Sequence, residues 1–408
     1  MTLLDLLLIP ALLIFLPSFL RKKRGGWAQR FGKTEPLAAP TKKRLLLHGV
    51  SVGEVNALRA LVPLLTPHVE VVISTTTDTG LARAQSLYSD SCTVVRFPID
   101  ASWAVKRFLD SVRPDAVALC ELEVWPQFIR FSRERSIPIC IINGRLSARS
   151  FRGYKFFRGL LLKMFRSLEF AAVQDADYAA RFQYMGVDPA RCHTTGSMKW
   201  DAISFGGNAE LEQCAAKLAA DMGIDLARPL IVAGSTGPGE EAILHEAVPK
   251  DVQLLCAPRK PERFDEAAAA LDGCVRRSQK VAQPGNRFLL DSIGELRNAY
   301  ALADLVIIGR SFGSQFGSDP IEPIALGKPV VIGPAHSDFQ VIVDQFRAAE
   351  AIVVATRGSL QSSLERLLRS KEARGALAAN GLVCIRKNQG AAARNAELLL
   401  AMMHRDRA

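Results

Sequence analysis

From residue 43 onward, short apolar runs alternate with longer stretches whose apolar residues recur at helical spacing. In the first half the runs are RLLLHG (44–49), VEVVIST (69–75), CTVVRF (92–97), DAVALC (115–120) and IPICII (137–142), with EFAAVQ (169–174) as a weaker sixth. The second half offers PLIVAG (229–234), DVQLLCA (251–257), RFLLD (287–291), DLVIIG (304–309), PVVIG (329–333) and AIVVA (351–355). Runs that are apolar and β-branched without strict polar alternation suit parallel strands covered on both faces. The helical stretches between them imply βαβ units, hence an α/β chain with two doubly wound, Rossmann-like parallel sheets. A linker is expected near 203–228, where ISFGGNAE carries two glycines and no apolar period. The closing stretch from about 360 reads as helical.

Residues 2–20, TLLDLLLIPALLIFLPSFL, break this pattern because they are apolar all round, and RKKR (21–24) follows at once. About 20 apolar residues can span a bilayer, and basic residues after the run hold the following chain on the cytoplasmic side. Asp5, Pro10 and Pro17 leave a monotopic anchor as the alternative. The expected division is therefore an anchor helix with its basic flank (1–24), one domain over 25–205, and a second over 206–408 whose last helix can pack back on the first.

With 49% apolar and 23% charged residues the 408-residue chain is globular, and long enough for two cores. Lys and Arg exceed Asp and Glu by 52 to 41, which favours an anionic partner: nucleic acid, acidic lipid or a phosphorylated substrate. Eight scattered cysteines form neither CxxC pairs nor zinc spacings, so neither a disulfide framework nor a metal site is signalled, and a reducing compartment is expected.

The candidate chemistry clusters where strands end, which is where ligands bind in doubly wound sheets. HGVSVGE (48–54) leaves the first strand; Gly49 and Gly53 allow a tight turn, Ser51 can cap the next helix, and Glu54 is placed to take a proton. The competing explanation for Glu54 is a helix-start carboxylate favoured by the macrodipole, and His48 reads as a strand-end hydrogen-bonder. In ELEVWPQ (121–127), Glu121 and Glu123 point the same way if the segment is extended. NGRLSARS (143–150), with Arg145, opens a basic and aromatic stretch running to Arg166, suited to anionic lipid or to a solvated face. No recognised nucleic-acid motif accompanies it.

In the second half, GSTGPGEE (234–241) lies between a strand and a helix, so backbone N–H groups and the Ser235 and Thr236 hydroxyls can hold a phosphate. It is neither a Walker A loop nor GxGxxG. APRKPERF (257–264) adds Arg259, Lys260 and Arg263 for an anionic substrate. SFGSQFGSDPIEPIALGKPVVIGP (311–334) is a glycine-rich loop followed by a short helix carrying Glu322.

Taken together and in order, RFG (30–32), HGVSVGEV, ELEVWPQ, NGRLSARS, GSMKWD (196–201), AGSTGPGEE, APRKPERF, GELRNAYALADLVIIG (294–309) and IEPIALGKPVVIGP resemble the 3-deoxy-D-manno-octulosonic acid (Kdo) transferases of lipid A biosynthesis. The resemblance covers nearly the whole chain. It implies a GT-B fold, two Rossmann-like domains facing a cleft, and a metal-independent inverting transferase with no cofactor. That enzyme would move Kdo from CMP-Kdo to a lipid A precursor at the cytoplasmic side of the cell inner membrane, with inner-leaflet lipid as a further partner. It implies Glu54 as the catalytic base and Ser51, Glu121, Glu123 and Arg145 on the acceptor side. The donor side would be Ser235, Thr236, Glu240, Arg259, Glu295, Ser318, Asp319 and Glu322.

Departures fall on the donor side. Gly237 stands where the family often has His, Lys260 where it has His, and FGSD (316–319) where it has G-G-H-N. They keep a transferase for a different CMP-activated acid sugar among the alternatives, with a nucleotide-sugar epimerase or isomerase and a non-catalytic lipid- or sugar-binding relative.

Overall fold

The computed structural model describes residues 25–203 and 205–405. The expected anchor lies outside the described residues; among them, no helix is long and apolar enough to cross a membrane. The chain forms two compact units. One runs to Ala202 and resumes at Asn388; the other is Ile203–Lys387.

The first unit holds β1 (Arg44–His48), β2 (Glu70–Thr75), β3 (Thr93–Arg96), β4 (Ala116–Cys120), β5 (Ile139–Gly144), β6 (Ala171–Val173) and β7 (Cys192–Thr194). They form one sheet in the order β3-β2-β1-β4-β5-β6-β7, every pair parallel. Leu45, Leu46 and Leu47 of β1 are fully buried, because alternate residues enter the helical layers on opposite faces. Each such leucine contributes roughly 1.5–3 kcal/mol. The helix Ser102–Val112 shows how its layer forms: Ala104, Val105, Phe108, Leu109 and Val112 make one buried stripe, and Arg113 ends the helix in a left-handed conformation, φ 49°. The final helix, Ala391–His404, seats Ala392, Ala396, Leu399 and Met403 in this unit's core. Asp201 accepts from the Gly390 and Ala392 amides at its start.

The second unit holds β8 (Leu230–Thr236), β9 (Gln253–Pro258), β10 (Val275–Arg276), β11 (Arg287–Leu289), β12 (Leu305–Ile308), β13 (Val330–Ile332) and β14 (Val353–Val354). The order is β10-β11-β9-β8-β12-β13-β14, again all parallel. The twelve expected strands are present. The short β7 and β10 were not anticipated, because their three and two residues carry no apolar run.

The expected linker is largely a 14-residue helix, Ala209–Met222. Asn208 caps it by accepting from the Leu211 amide, Glu210 and Glu212 sit in its first turn, and Gly223 at φ 71° ends it. These are ordinary start and stop signals that two glycines just upstream obscured. All eight cysteines are free thiols.

Candidate active site

In each sheet the chain reverses its direction of winding between two neighbouring central strands: β1 and β4 in the first unit, β8 and β12 in the second. A crevice opens at the carboxyl ends of such a pair. Glu54 follows β1 and Glu121 and Glu123 follow β4, so the first switch point carries three carboxylates. Ser235 and Thr236 end β8, Gly237 to Glu241 follow it, and Arg310 to Phe312 follow β12 at the second.

Around the first point, Ser51 precedes the helix Val52–Ala57 but does not cap it with its side chain. Its hydroxyl instead donates to Glu54 Oε1 at 2.9 Å, while the Val50 amide donates to Oε2 at 2.8 Å. The carboxylate is thus aimed back over the turn. Neither Gly49 nor Gly53 has a positive φ. Gly49 matters through space, since a Cβ there would lie 3.2 Å from Glu54 Cβ; Gly53 has no comparable neighbour.

Glu121 is not extended as expected: its φ is 61°, and its amide donates to Ile142 O. The left-handed residue bends the chain off β4, and the pair still converges on Glu54. Burial and the charge of Glu121 push the Glu54 carboxyl up to about 7. Burial, followed by the charge of Glu54, pushes Glu123 up to about 8. Perturbation of this kind, buried like charges at a strand end, is a signature of acid–base sites.

The surroundings fix the cluster. Asp100 accepts from the Gln127 and Phe128 amides and holds the loop after β4. His48 is fully buried, stacks on Phe97 at 3.8 Å and approaches Ser74 through Nδ1. Its pKa is depressed to about 3 by burial, so it is a neutral wall rather than a proton carrier. Arg145, just past β5, is half-buried.

One residue was overlooked. Asn143, at φ 50°, accepts from the Met198 amide and fastens the turn Met198–Trp200, which presents Lys199 close enough to act electrostatically on Cys120, as the three glutamates do. A lone Lys in GSMKWD carries no local signal; only the fold brings it to the acids.

Around the second point, the structure redistributes the expected donor residues. Thr236 does not offer a free hydroxyl, because it donates to Glu241 at 2.5 Å and is fully buried. Arg263 is likewise internal, paired with Glu241 and Glu266 and bonded to Thr236 O. Glu240 is 1% exposed and accepts four backbone N–H groups: Gly237 and Arg310 at Oε2, Ser311 and Phe312 at Oε1. It holds the β8 and β12 turns together and has no face for a ligand. Glu295 pairs with Arg277 and accepts from Ser292, which holds its carboxyl below the usual range despite burial. Glu322 pairs with Arg297 at 3.3 Å.

What remains open is a smaller set. Ser235 sits at φ 59°. Arg259 is exposed and has no hydrogen bond or ion pair from its side chain among the described residues, while its amide donates to Thr236 O. Asp319 is exposed and accepts from the Ile321 amide. Ser318 Oγ is buried with no partner among the described residues. Arg259, Asp319 and Glu322 all act electrostatically on the buried Tyr300, whose hydroxyl occupies the space beside Gly234. Any side chain at 234 would strike that hydroxyl at 1.9 Å. Among the described residues, no group of three His, Cys, Asp or Glu is placed to hold a metal ion.

A family model described as 3-deoxy-D-manno-octulosonic-acid transferase (kdotransferase) matches residues 25–202. The chain is 31% identical over 396 residues to the 3-deoxy-D-manno-octulosonic acid transferase of Haemophilus influenzae, covering 93% of this chain and 92% of that one. It is 32% identical over 382 residues to the enzyme of the same name from Bordetella pertussis, covering 85% of each. A solved glycosyltransferase from Rickettsia africae superposes with a TM-score of 0.62 at 12% identity, over 90% of this chain and all of that one. At that identity the likeness speaks to the fold alone.

Proposed function

Because the chain belongs to the 3-deoxy-D-manno-octulosonic acid transferases, we propose that it uses CMP-Kdo as donor and a lipid A precursor as acceptor, with Glu54 as the base. Glu54 takes the proton of the acceptor hydroxyl as the oxygen bonds to the anomeric carbon of Kdo. The bond from that carbon to the CMP phosphate oxygen breaks, and CMP leaves with the electron pair. Attack opposite the leaving group inverts the anomeric centre.

The observation that carries this reading is the buried Glu54 carboxyl, pushed up to about 7 by desolvation and the Glu121 charge. A base whose pKa lies near the working pH is the most effective proton acceptor. Arg259, beside the β8 turn, supplies a cation for the phosphate of the departing CMP. No residue is assigned to a metal, and activity in excess chelator is expected to match activity without it.

The acceptor is a lipid, which fits the outer face of the first unit. The helices Ala148–Phe156 and Arg158–Arg166 leave Phe156, Phe157 and Leu160 largely exposed among Arg149, Arg152, Lys155 and Lys163. Apolar rings within a basic field suit an anionic inner-leaflet surface. With RKKR after the apolar segment 2–20, this favours the cytoplasmic face of the inner membrane.

The test is incubation with CMP-Kdo and a tetra-acylated lipid A precursor, reading product mass. A mass increase by whole Kdo units, abolished in Glu54→Ala, is expected. Product from another CMP-activated acid sugar but none from CMP-Kdo would overturn the donor assignment and locate the difference in residues 316–319.

A further inference from the structure

Two non-glycine residues stand in the left-handed conformation side by side at the second switch point. Ser235 (φ 59°) is the last residue but one of β8 and Arg310 (φ 59°) follows β12, and the two strands meet through the Gly309 amide bonded to Gly234 O. A long side chain at such a φ is strained, and the strain is retained only where the surroundings enforce it. Here they do. The Arg310 amide donates to Glu240 at 2.5 Å, and its carbonyl accepts from the Gly317 amide at 2.8 Å. Glycine would occupy this position without strain, so the conformation alone does not account for an arginine.

The side chain is tethered as well. Arg310 Nε donates to Gln315 Oε1 at 2.9 Å, and among the described residues the guanidinium has no other hydrogen bond and no carboxylate partner. A Cβ placed on Gly237 would lie 3.0 Å from Gln315 Oε1 and 3.3 Å from Arg310 Cγ. The Arg310–Gln315 pair therefore occupies the space that a side chain at 237 would need. The same Glu240 oxygen that binds the Arg310 amide binds the Gly237 amide. One buried carboxylate thus fixes the arginine against the β8 turn. In the sheet order β9-β8-β12, Arg259 follows the strand on one side of β8 and Arg310 the strand on the other. With the Thr236 hydroxyl committed to Glu241, these two arginines are the cations that flank the turn, beside the Ser235 hydroxyl within it.

The geometry points to Arg310 as a phosphate-binding residue of the donor site, opposite Arg259, with Gln315 as its positioning residue and Gly237 as the space that admits both. A planar guanidinium tethered at Nε leaves two terminal N–H₂ groups for one oxyanion. This inference rests on the CMP-sugar reading above and is tested separately from it.

The experiment measures CMP binding by calorimetry and melting temperature for the full-length wild type, Arg310→Gly, Arg310→Lys and Gln315→Ala. Arg310→Gly relieves the backbone strain, so its melting temperature should hold or rise while CMP affinity falls about tenfold or more. Arg310→Lys should recover part of that loss, and Gln315→Ala should weaken binding less than Arg310→Gly does. Unchanged CMP affinity in Arg310→Gly overturns the assignment. So does a loss of affinity accompanied by a lower melting temperature, which would mark a structural role. A wild type that binds CMP but makes no product from CMP-Kdo refutes the proposed reaction and leaves this result standing. A wild type that does not bind CMP refutes both.

Discussion

Glu54 and Glu240 occupy matching places, each in the first turn of the helix that follows the first strand of its unit, at that unit's switch point. Their surroundings are opposite. Glu240 accepts four backbone amides and is shut from solvent, so both its oxygens are matched by fixed dipoles. Glu54 accepts the Val50 amide and the Ser51 hydroxyl, with the Ser51 amide acting on it more weakly, and it lies within electrostatic reach of Glu121 and Glu123. Burial and the Glu121 charge cost the carboxylate at 54 more than its donors return, and its pKa rises. The same residue type at the same place in the topology is cement in one unit and the proposed base in the other; the donors and the neighbouring carboxylates differ between them.

The sharpest way to break that contrast is to replace each glutamate in turn. Glu54→Gln keeps the shape and removes the base, so kcat should fall about 10³-fold while CMP binding stays at the wild-type level. Near-normal turnover would remove Glu54 from the chemistry. Stability should move the other way. The folded pKa of about 7 lies above the ordinary value of 4.5, so the folded state holds this proton more tightly than the unfolded chain does. Wild-type stability is therefore lowered progressively from about pH 4.5 through about pH 7. The glutamine variant escapes that loss, and urea unfolding at pH 8 should show it as stable as wild type or more so.

Glu240→Ala should do the reverse. Four amides lose their acceptor, and at 1–3 kcal/mol for each buried unsatisfied group, discounted for water entry, the loss is roughly 4 kcal/mol. Equal unfolding midpoints for this variant and wild type would undo the comparison.

The sheets were legible because parallel strands buried on both faces leave continuous apolar runs, as in RLLLH or DLVII. The strand ends were legible as places for chemistry because glycine, serine and acidic residues collect there. What could not be read was which polar groups are already satisfied. Thr236, Glu240, Arg263 and Glu295 look as available along the chain as Ser235 and Arg259 do. Glu266 lies only three residues from Arg263 and Glu241 five from Thr236. But Glu241 reaches Arg263, the amides of residues 310–312 reach Glu240, and Arg277 reaches Glu295 only through strand pairing and loop return. Lys199 is the converse case, a residue without a local signal that is brought to the acids by Asn143. The left-handed conformations of Glu121 and Arg310 were also hidden, since neither is a residue type that marks such a turn.

A smaller effect is expected from Gly49→Ala. The added Cβ meets Glu54 Cβ at 3.2 Å, so the helix start must give by a few tenths of an ångström. Proton transfer is sensitive to misplacement on that scale, and kcat should fall about five-fold with little change in unfolding midpoint. An unchanged kcat would mean that the aim of Glu54 is set by its two donors alone.

The smallest expected effect tests the electrostatic half of the comparison. Glu121 raises Glu54 by like charge, second to burial. Activity should decline on the acid side as Glu54 takes up a proton, with the midpoint of the kcat profile near pH 7. Glu123 is pushed up to about 8 and feels Glu54 in turn, so the observed midpoint belongs to the coupled group. Glu121→Gln removes one negative charge at nearly constant shape. The acid limb should then move below pH 7, and turnover at pH 6 should rise relative to the alkaline plateau. Glu54 remains more buried than an ordinary surface carboxylate, so the shift should stop short of its ordinary value of 4.5. If the limb does not move in Glu121→Gln, burial alone sets the Glu54 pKa. The contrast with Glu240 would then reduce to the count of hydrogen-bond donors.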